Sequence, residues 1–488
     1  MRKMKENACN NKNQKKNPGF LLSAVSSNSG KTAAACGLMS AFKQTGKRVC
    51  ACKCGPDYID PMFHREVLSV DSKNLDLFFS EEEVLKEEYL RHTKDEDITI
   101  TEGVMGFYDG MSLDSVKGSS YDVARTLGLP VILVINARGA AMTLAAMVKG
   151  IAEFRPDSKI RGILLNRVSA MLYPRLKEML ENELARIGRG EIEIVGYMPE
   201  NEAFHLESRH LGLVTPQEME NLQEKVKLAG EILAKTVDLE LLEKIAGESS
   251  AWKVEVSEES EKIESLKSLN YPVRIAVARD EAFCFYYKDN LELLESLGCE
   301  LIEFSPLYDK KLPEKINGIL LGGGYPELYG KQLAENQSML ESIRRALDDK
   351  IPCLAECGGF MYLHEEMEDT DGNVWKLVGR IHGRTFPTGK LVRFGYVNLQ
   401  VNSLGMGSER EAEGWFLPGE NIRAHEFHYW DSTDSGSDCL AVKPDGKRSW
   451  ECMHLEENLV VGYPHLYYPS CEKFAERFVE KCRSSYRE

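Results

Sequence analysis

Short apolar runs alternate with amphipathic stretches twice along this chain, and that rhythm limits the fold more than any other feature. In the first half the strand candidates are Phe20–Val25, Arg48–Cys54, Ile98–Thr101, Val131–Ile135, Ile160–Leu165 and Ile192–Gly196. Apolar runs separated by helix-length segments are the mark of strands buried on both faces. An α/β fold with a mostly parallel sheet covered by helices is therefore expected from residue 19 to 235. Residues 236–271 break the rhythm, being rich in Glu, Lys and Ser, and are read as a partly helical, solvated linker. The alternation resumes with strands predicted at Arg274–Ala278, Glu300–Phe304, Gly318–Leu321 and Ile351–Ala355, and helices over Tyr287–Leu297 and Asn336–Asp348. After Leu363 the texture turns to strand and turn, with Leu391–Val401, Arg423–Tyr429 and Leu459–Tyr463 extended and a closing helix from about Cys471.

At 488 residues the chain is too long for one hydrophobic core, which agrees with two domains, 19–235 and 272–488. Residues 1–18 carry Arg2, Lys3, Lys5, Lys12, Lys15 and Lys16 and are read as a disordered basic tail. The apolar run that follows is too short for a signal peptide. No stretch approaches the roughly 18 uninterrupted apolar residues of a membrane span; Leu129 to Ile151 is broken by Asn136, Arg138 and Lys149. A net charge of −16 argues against a broad nucleic-acid-binding surface. Thirteen cysteines without a secretion signal favour reduced thiols and a cytoplasmic location. Cys50, Cys52 and Cys54 alternate along one strand face and are read as buried strand residues rather than metal ligands.

Two segments carry chemistry. Ser27-Asn28-Ser29-Gly30-Lys31-Thr32 follows a strand and opens an Ala-rich helix, the setting of a phosphate loop. In such a loop backbone N–H groups cradle phosphate, Lys31 reaches the terminal phosphates and Thr32 ligates Mg²⁺. The full pattern has Gly where this chain has Val25. Asp57 and Asp60 follow the second strand, Glu102 and Asp109 the third, and Asn136 and Asn166 later ones. Carboxyl ends of parallel strands border one crevice, so the acids are candidates to meet Mg²⁺ and the triphosphate. The asparagines are candidate nucleobase contacts or turn formers.

In the second half Ile351–Ala355 runs into Glu356-Cys357-Gly358-Gly359, the form of a nucleophile elbow. Its thiolate would attack an amide. Gly322, Gly323 and Gly324 end another strand, and the N–H groups of Gly323, Gly324 and Gly358 are candidates to face an oxyanion. His465 is the expected base for Cys357, with an imidazolium pairing the thiolate; His425 and His428 compete for the role.

Over nearly its whole length from Gly19, the chain resembles the cobyrinic acid a,c-diamide synthases of the cobalamin pathway. The resemblance rests on Lys53-Cys-Gly-Pro-Asp-Tyr-Ile-Asp-Pro61, Thr101-Glu-Gly-Val-Met-Gly-Phe-Tyr-Asp-Gly110, Ser208-Arg-His-Leu-Gly-Leu213, Leu321-Gly-Gly-Gly-Tyr-Pro-Glu-Leu328, Ala355-Glu-Cys-Gly-Gly359 and His425-Glu-Phe-His-Tyr429. It implies a phosphate-loop synthetase domain similar to dethiobiotin synthetase, joined to a class I glutamine amidotransferase domain. Cys357 and His465 would release ammonia from glutamine through a thioester. Ser29, Gly30, Lys31, Thr32, Asn136 and Asn166 would bind ATP, with Thr32, Asp57 and Glu102 on Mg²⁺ and Asp60 and Asp109 serving substrate or phosphoryl transfer. A carboxylate of cobyrinic acid or a related tetrapyrrole would be phosphorylated and then aminated, with a homodimer compatible with this reading. Nickel-sirohydrochlorin and hydrogenobyrinic acid are alternative substrates, and a non-catalytic nucleotide switch is the alternative of another class. Many relatives have Gly where Asn28 stands. Position 467, two residues past His465, holds Tyr where other class I amidotransferases have Glu, so the third triad member is absent there.

Overall fold

The computed structural model describes residues 17–206, 216–250, 272–402, 414–417 and 419–485. The Ser208–Leu213 motif, all but the last two residues of the basic segment and the latter part of the 236–271 segment lie outside them. The chain divides into two compact units, Met1–Glu255 and Val256–Glu488.

The first unit is built on a seven-stranded sheet: β1 (Gly19–Ala24), β2 (Val49–Cys54), β3 (Ser72–Leu75), β4 (Ile98–Glu102), β5 (Val131–Asn136), β6 (Ile160–Asn166) and β7 (Glu193–Met198). Their order is β3-β2-β4-β1-β5-β6-β7 and every pairing is parallel, so all strands end on the same edge. Strands β1 and β2 are buried along their whole length, which is why their runs were legible. β3 was not: its sequence Ser-Lys-Asn-Leu has no apolar run because it is an edge strand. Cys50, Cys52 and Cys54 are buried in β2, and no His/Cys/Asp/Glu group among the described residues could hold a metal ion by itself.

One expectation fails in the 236–271 segment. Leu239–Ala246 is a helix capped by Asp238, whose side chain accepts from the Leu241 N–H, and its Leu242, Ile245 and Ala246 are buried. Lys47 pairs with Glu243 and Arg161 with Glu248. Its apolar face is packed on the first unit, so this part is not a solvated linker. The high Glu and Lys content describes only the opposite face.

In the second unit the main sheet holds β8 (Val273–Ala278), β9 (Cys299–Phe304), β10 (Gly318–Leu321), β11 (Cys353–Glu356), β20 (His454–Glu456) and β21 (Leu459–Gly462). Their order is β20-β21-β11-β10-β8-β9, with only β20 antiparallel to its neighbour. β11 thus lies between β10 and β21, and the loops leaving all three meet at one edge. Beside it, β12 (His364–Glu368), β13 (Val374–Lys376), β14 (Ile381–Pro387) and β17 (Trp430–Ser432) form a four-stranded sheet. β15 (Arg393–Val401), β16 (Asn421–His428), β18 (Cys439–Val442), β19 (Ser449–Cys452) and β22 (His465–Leu466) form a five-stranded one. Among the described residues no helix is long and apolar enough to cross a membrane.

Candidate active sites

In the first unit the loop after β1 turns into the helix Lys31–Gln44 through Gly30, at φ 94°. A Cβ there would stand 2.3 Å from Asn166 Nδ2, so the position requires glycine twice over. Asn166 Nδ2 donates to the Ser29 carbonyl at 2.9 Å, clasping the loop from the end of β6. Asn136 instead forms a turn, its Oδ1 accepting from the Arg138 N–H. Lys31 Nζ donates to the Met105 and Ser26 carbonyls, at 2.5 and 3.3 Å. Burial and the nearby Lys53 lower its pKa to about 8.

Below the loop sits a buried charged cluster. Glu102 Oε1 accepts from Thr32 Oγ1 at 2.7 Å and from Lys53 Nζ at 2.9 Å. Lys53 Nζ also lies 2.5 Å from Asp60 Oδ2, and His64 Nε2 lies 3.4 Å from Glu102 Oε2. Burial works against ionising Glu102, but Lys53, His64 and Thr32 overcome it and hold the carboxyl well below the usual range. Asp60, with burial and Glu102 both against its charge, is pushed up to about 8. Two carboxyls share one ammonium, and the less well held keeps its proton more readily. Asp57 Oδ1 caps the next helix by accepting from the Asp60 N–H, and Asp109 Oδ2 accepts from the Gly106 N–H. The structure therefore brings Thr32, Glu102 and Asp60 together, while Asp57 and Asp109 each brace a loop beside them.

In the second unit Cys357 follows β11 at φ 50°, ψ −102°, a strained conformation for a residue with a Cβ. Its N–H donates to the Gly462 carbonyl at 2.8 Å and the Gly359 N–H donates to the Gly322 carbonyl at 2.9 Å. A Cβ on Gly359 would come within 2.2 Å of the Leu321 carbonyl oxygen. The elbow is thus pinned to both neighbouring strands, and only glycine permits that approach. A Cβ on Gly358 would lie 3.1 Å from the Gly324 nitrogen, so the glycine loops after β10 and β11 meet. His465 packs against Gly323, where an added Cβ would meet its Cε1 at 2.4 Å.

The electrostatics differ from expectation. Burial, with Glu327 adding to it, raises the Cys357 thiol far above its ordinary pKa. Burial, with His425 and His428 adding to it, lowers His465 to about 3. This environment favours a neutral thiol and a neutral imidazole over the anticipated thiolate–imidazolium pair. The competing histidines are also placed. His428 stacks on Tyr463, with Nδ1 2.6 Å from the Trp430 carbonyl and Nε2 3.3 Å from Glu426. His425 lies opposite His465 in the β16–β22 pairing and is lowered to about 3 by burial.

Residues 21–214 match the CobQ/CobB/MinD/ParA nucleotide binding domain and residues 274–471 the CobB/CobQ-like glutamine amidotransferase domain. Proteins named cobyrinate a,c-diamide synthase align along almost the whole chain. That of Caldanaerobacter subterraneus subsp. tengcongensis is 36% identical over 95% of this chain and 98% of its own. That of Clostridium tetani is 38% identical over 95% and 99%, and that of Fusobacterium nucleatum 39% over 94% and 99%. The chain belongs to the cobyrinate a,c-diamide synthase family.

Within that family frame, three residues emerge that the sequence reading passed over. Lys53 and His64 surround Glu102, and both were hidden because a buried charge leaves no periodic signal. Lys53 did stand in the quoted Lys53–Pro61 motif. Glu356, one residue before Cys357, points its Oε2 at His465 Nδ1 across 3.9 Å.

Proposed function

We propose that this chain performs the ATP- and glutamine-dependent amidation of the a and c carboxylates of cobyrinic acid. The observation that carries the proposal is the strained Cys357 turn, whose glycine loop meets the one against which His465 packs, in a chain that also holds a phosphate loop over a Thr32–Glu102 pair. The full-length relatives bearing the cobyrinate a,c-diamide synthase name supply the substrate.

Cys357 Sγ gives its proton to His465 and attacks the side-chain carbonyl of glutamine. The N–H groups of Gly323, Gly324 and Gly358 donate to the developing oxyanion, where charge stabilisation matters most. The C–N bond breaks, ammonia leaves with the proton from His465, and water hydrolyses the thioester to glutamate. A neutral resting pair suits this order, because charge separates only when an amide carbonyl is there to receive the sulfur electrons.

In the first unit Gly30, Lys31, Thr32 and Ser29 hold the triphosphate of ATP. Thr32 and Glu102 would hold Mg²⁺, which when bound neutralises phosphate charge. The fit is that of two oxygen donors completed by phosphates and water, and no larger ligating cluster occurs among the described residues. Lys31 serves the transferred phosphoryl group and Asp60, ion-paired to Lys53, serves the tetrapyrrole carboxylate or the phosphoryl transfer, with ADP as the leaving group. Ammonia then attacks the acyl carbon of the acyl phosphate, inorganic phosphate leaves and a proton is lost, forming the amide. Activation comes first because a carboxylate has no leaving group.

The test is mass-spectrometric amidation with cobyrinic acid, MgATP and glutamine, run beside nickel-sirohydrochlorin. Two successive amidations of cobyrinic acid are expected. Amidation of the nickel compound alone would move the proposal to that substrate, and no product from either, with ATP bound, would favour the nucleotide switch.

A further inference from the structure

We propose that Glu356, the residue directly before the nucleophile, is the carboxyl group that positions His465 for glutamine hydrolysis, in place of the acid that position 467 lacks. The inference rests on the glutaminase reading of Cys357 and His465 above. Position 467 is occupied by Tyr467, whose hydroxyl donates to Asp289 Oδ2 at 3.4 Å and whose ring meets the edge of Tyr287. That side chain is committed to Asp289 and Tyr287.

A carboxyl reaches the imidazole from the other strand instead. Glu356 closes β11 and pairs in register with Gly462 of β21, three residues before His465. Its Oε2 lies 3.9 Å from His465 Nδ1, and its Oε1 accepts from the Leu466 N–H at 3.3 Å and from Tyr468 Oη at 3.2 Å. The segment bearing these donors is itself fixed. Asn290 Nδ2 donates to the Leu466 carbonyl at 2.7 Å, and Asn290 Oδ1 accepts from the Tyr468 N–H at 2.8 Å. The carboxyl is therefore held on one oxygen and presents the other to the ring.

The same strand end thus delivers both the nucleophile and the group that orients its base. Burial pushes Glu356 up to about 8, so its ionised form is costly unless a cation forms beside it. His425 and His428 both disfavour a cation on His465, so the imidazolium formed in turnover needs an opposing charge. During hydrolysis one proton stays between His465 Nδ1 and Glu356. The thiol proton passes to the other ring nitrogen, Nε2, and leaves with ammonia.

The test compares Glu356→Gln with Glu356→Asp in glutamine hydrolysis, with ammonia-supported amidation reporting that each variant is folded. Neutralising a group that orients a functional histidine costs about 10- to 100-fold. Glu356→Gln is expected to lose that much kcat with KM for glutamine changed by less than about twofold, because the charge is needed only as the imidazolium forms. Glu356→Asp keeps a carboxyl and is expected to stay well above it. A purely structural role would give the reverse order, since Gln keeps the shape and the acceptor for Leu466 and Tyr468. Wild-type kcat in Glu356→Gln, or a milder effect of Gln than of Asp, would overturn the proposal. Should both variants fail to fold, Tyr468→Phe, which removes one group holding Glu356, is expected to lower kcat several-fold; an unaltered kcat there would overturn it as well. Failure of the underlying reading is separately visible as glutamine hydrolysis that survives Cys357→Ser.

Discussion

Replacing Glu102 by Gln is expected to destabilise the first unit as well as impair phosphoryl transfer. From the sequence, Glu102 is expected only as a ligand of Mg²⁺. In the structure the carboxylate is fully buried and holds Lys53, whose side chain is only 5% exposed. Gln keeps an oxygen for Thr32 but removes the charge, leaving Lys53 with Asp60 as its remaining acidic partner at 2.5 Å. Breaking a buried ion pair costs about 3–5 kcal/mol; with Asp60 in place the lower end applies, about 3 kcal/mol. In a domain of this size each kcal/mol lowers the melting temperature by about 2–4 °C, so the first unit should melt about 6–12 °C earlier. The pH dependence has a definite sign. Because Glu102 is held below its ordinary pKa, its stabilisation is present above about pH 4.5 and is lost as pH falls toward the folded-state value. Calorimetry of both proteins at pH 7 and pH 4 should therefore show a gap that narrows in acid. Melting within about 2 °C of wild type at pH 7 would refute the claim that this carboxylate supports the fold.

Three further outcomes are expected. Gly323→Ala drives a Cβ into His465 Cε1, and a displaced base should cut glutamine hydrolysis by about 100-fold while amidation from ammonia continues; full glutaminase turnover would contradict the placement. Gly30→Ala forces a side chain into the left-handed region, at about 1–2 kcal/mol, and against Asn166, so ATP binding measured by calorimetry should weaken by about tenfold or more. Without glutamine, alkylation of Cys357 should climb steadily with pH, because burial raises the thiol and keeps His465 neutral above about pH 3; a rate already level from pH 5 would mean a standing thiolate–imidazolium pair.

What the sequence made legible was whatever lies along a strand or at its end. Runs such as Val131–Ile135 gave the buried strands, and glycines beside them marked the turns where Gly30, Cys357 and Gly323 now stand. What stayed hidden depends on contacts between distant segments. Lys53 and His64 meet Glu102 only once β2 and β4 pair and the helix Ile59–Glu66 packs. Glu356 was in plain view in the Cys357 motif, yet its role depends on β11 pairing with β21, which no local pattern encodes. The edge strand β3 escaped because Ser-Lys-Asn-Leu carries no apolar run, and strands β12 and β18 because they are short and only partly buried. The packed helix Leu239–Ala246 was obscured by its charged outer face.

The central claim is that ammonia is made at Cys357 and consumed at a separate site. The most direct measurement is amidation of cobyrinic acid by Cys357→Ser with MgATP, supplied first with glutamine and then with ammonium at alkaline pH. No product from glutamine and near-normal product from ammonium is the predicted result; loss of both in a folded protein, or survival of the glutamine reaction, would contradict the account.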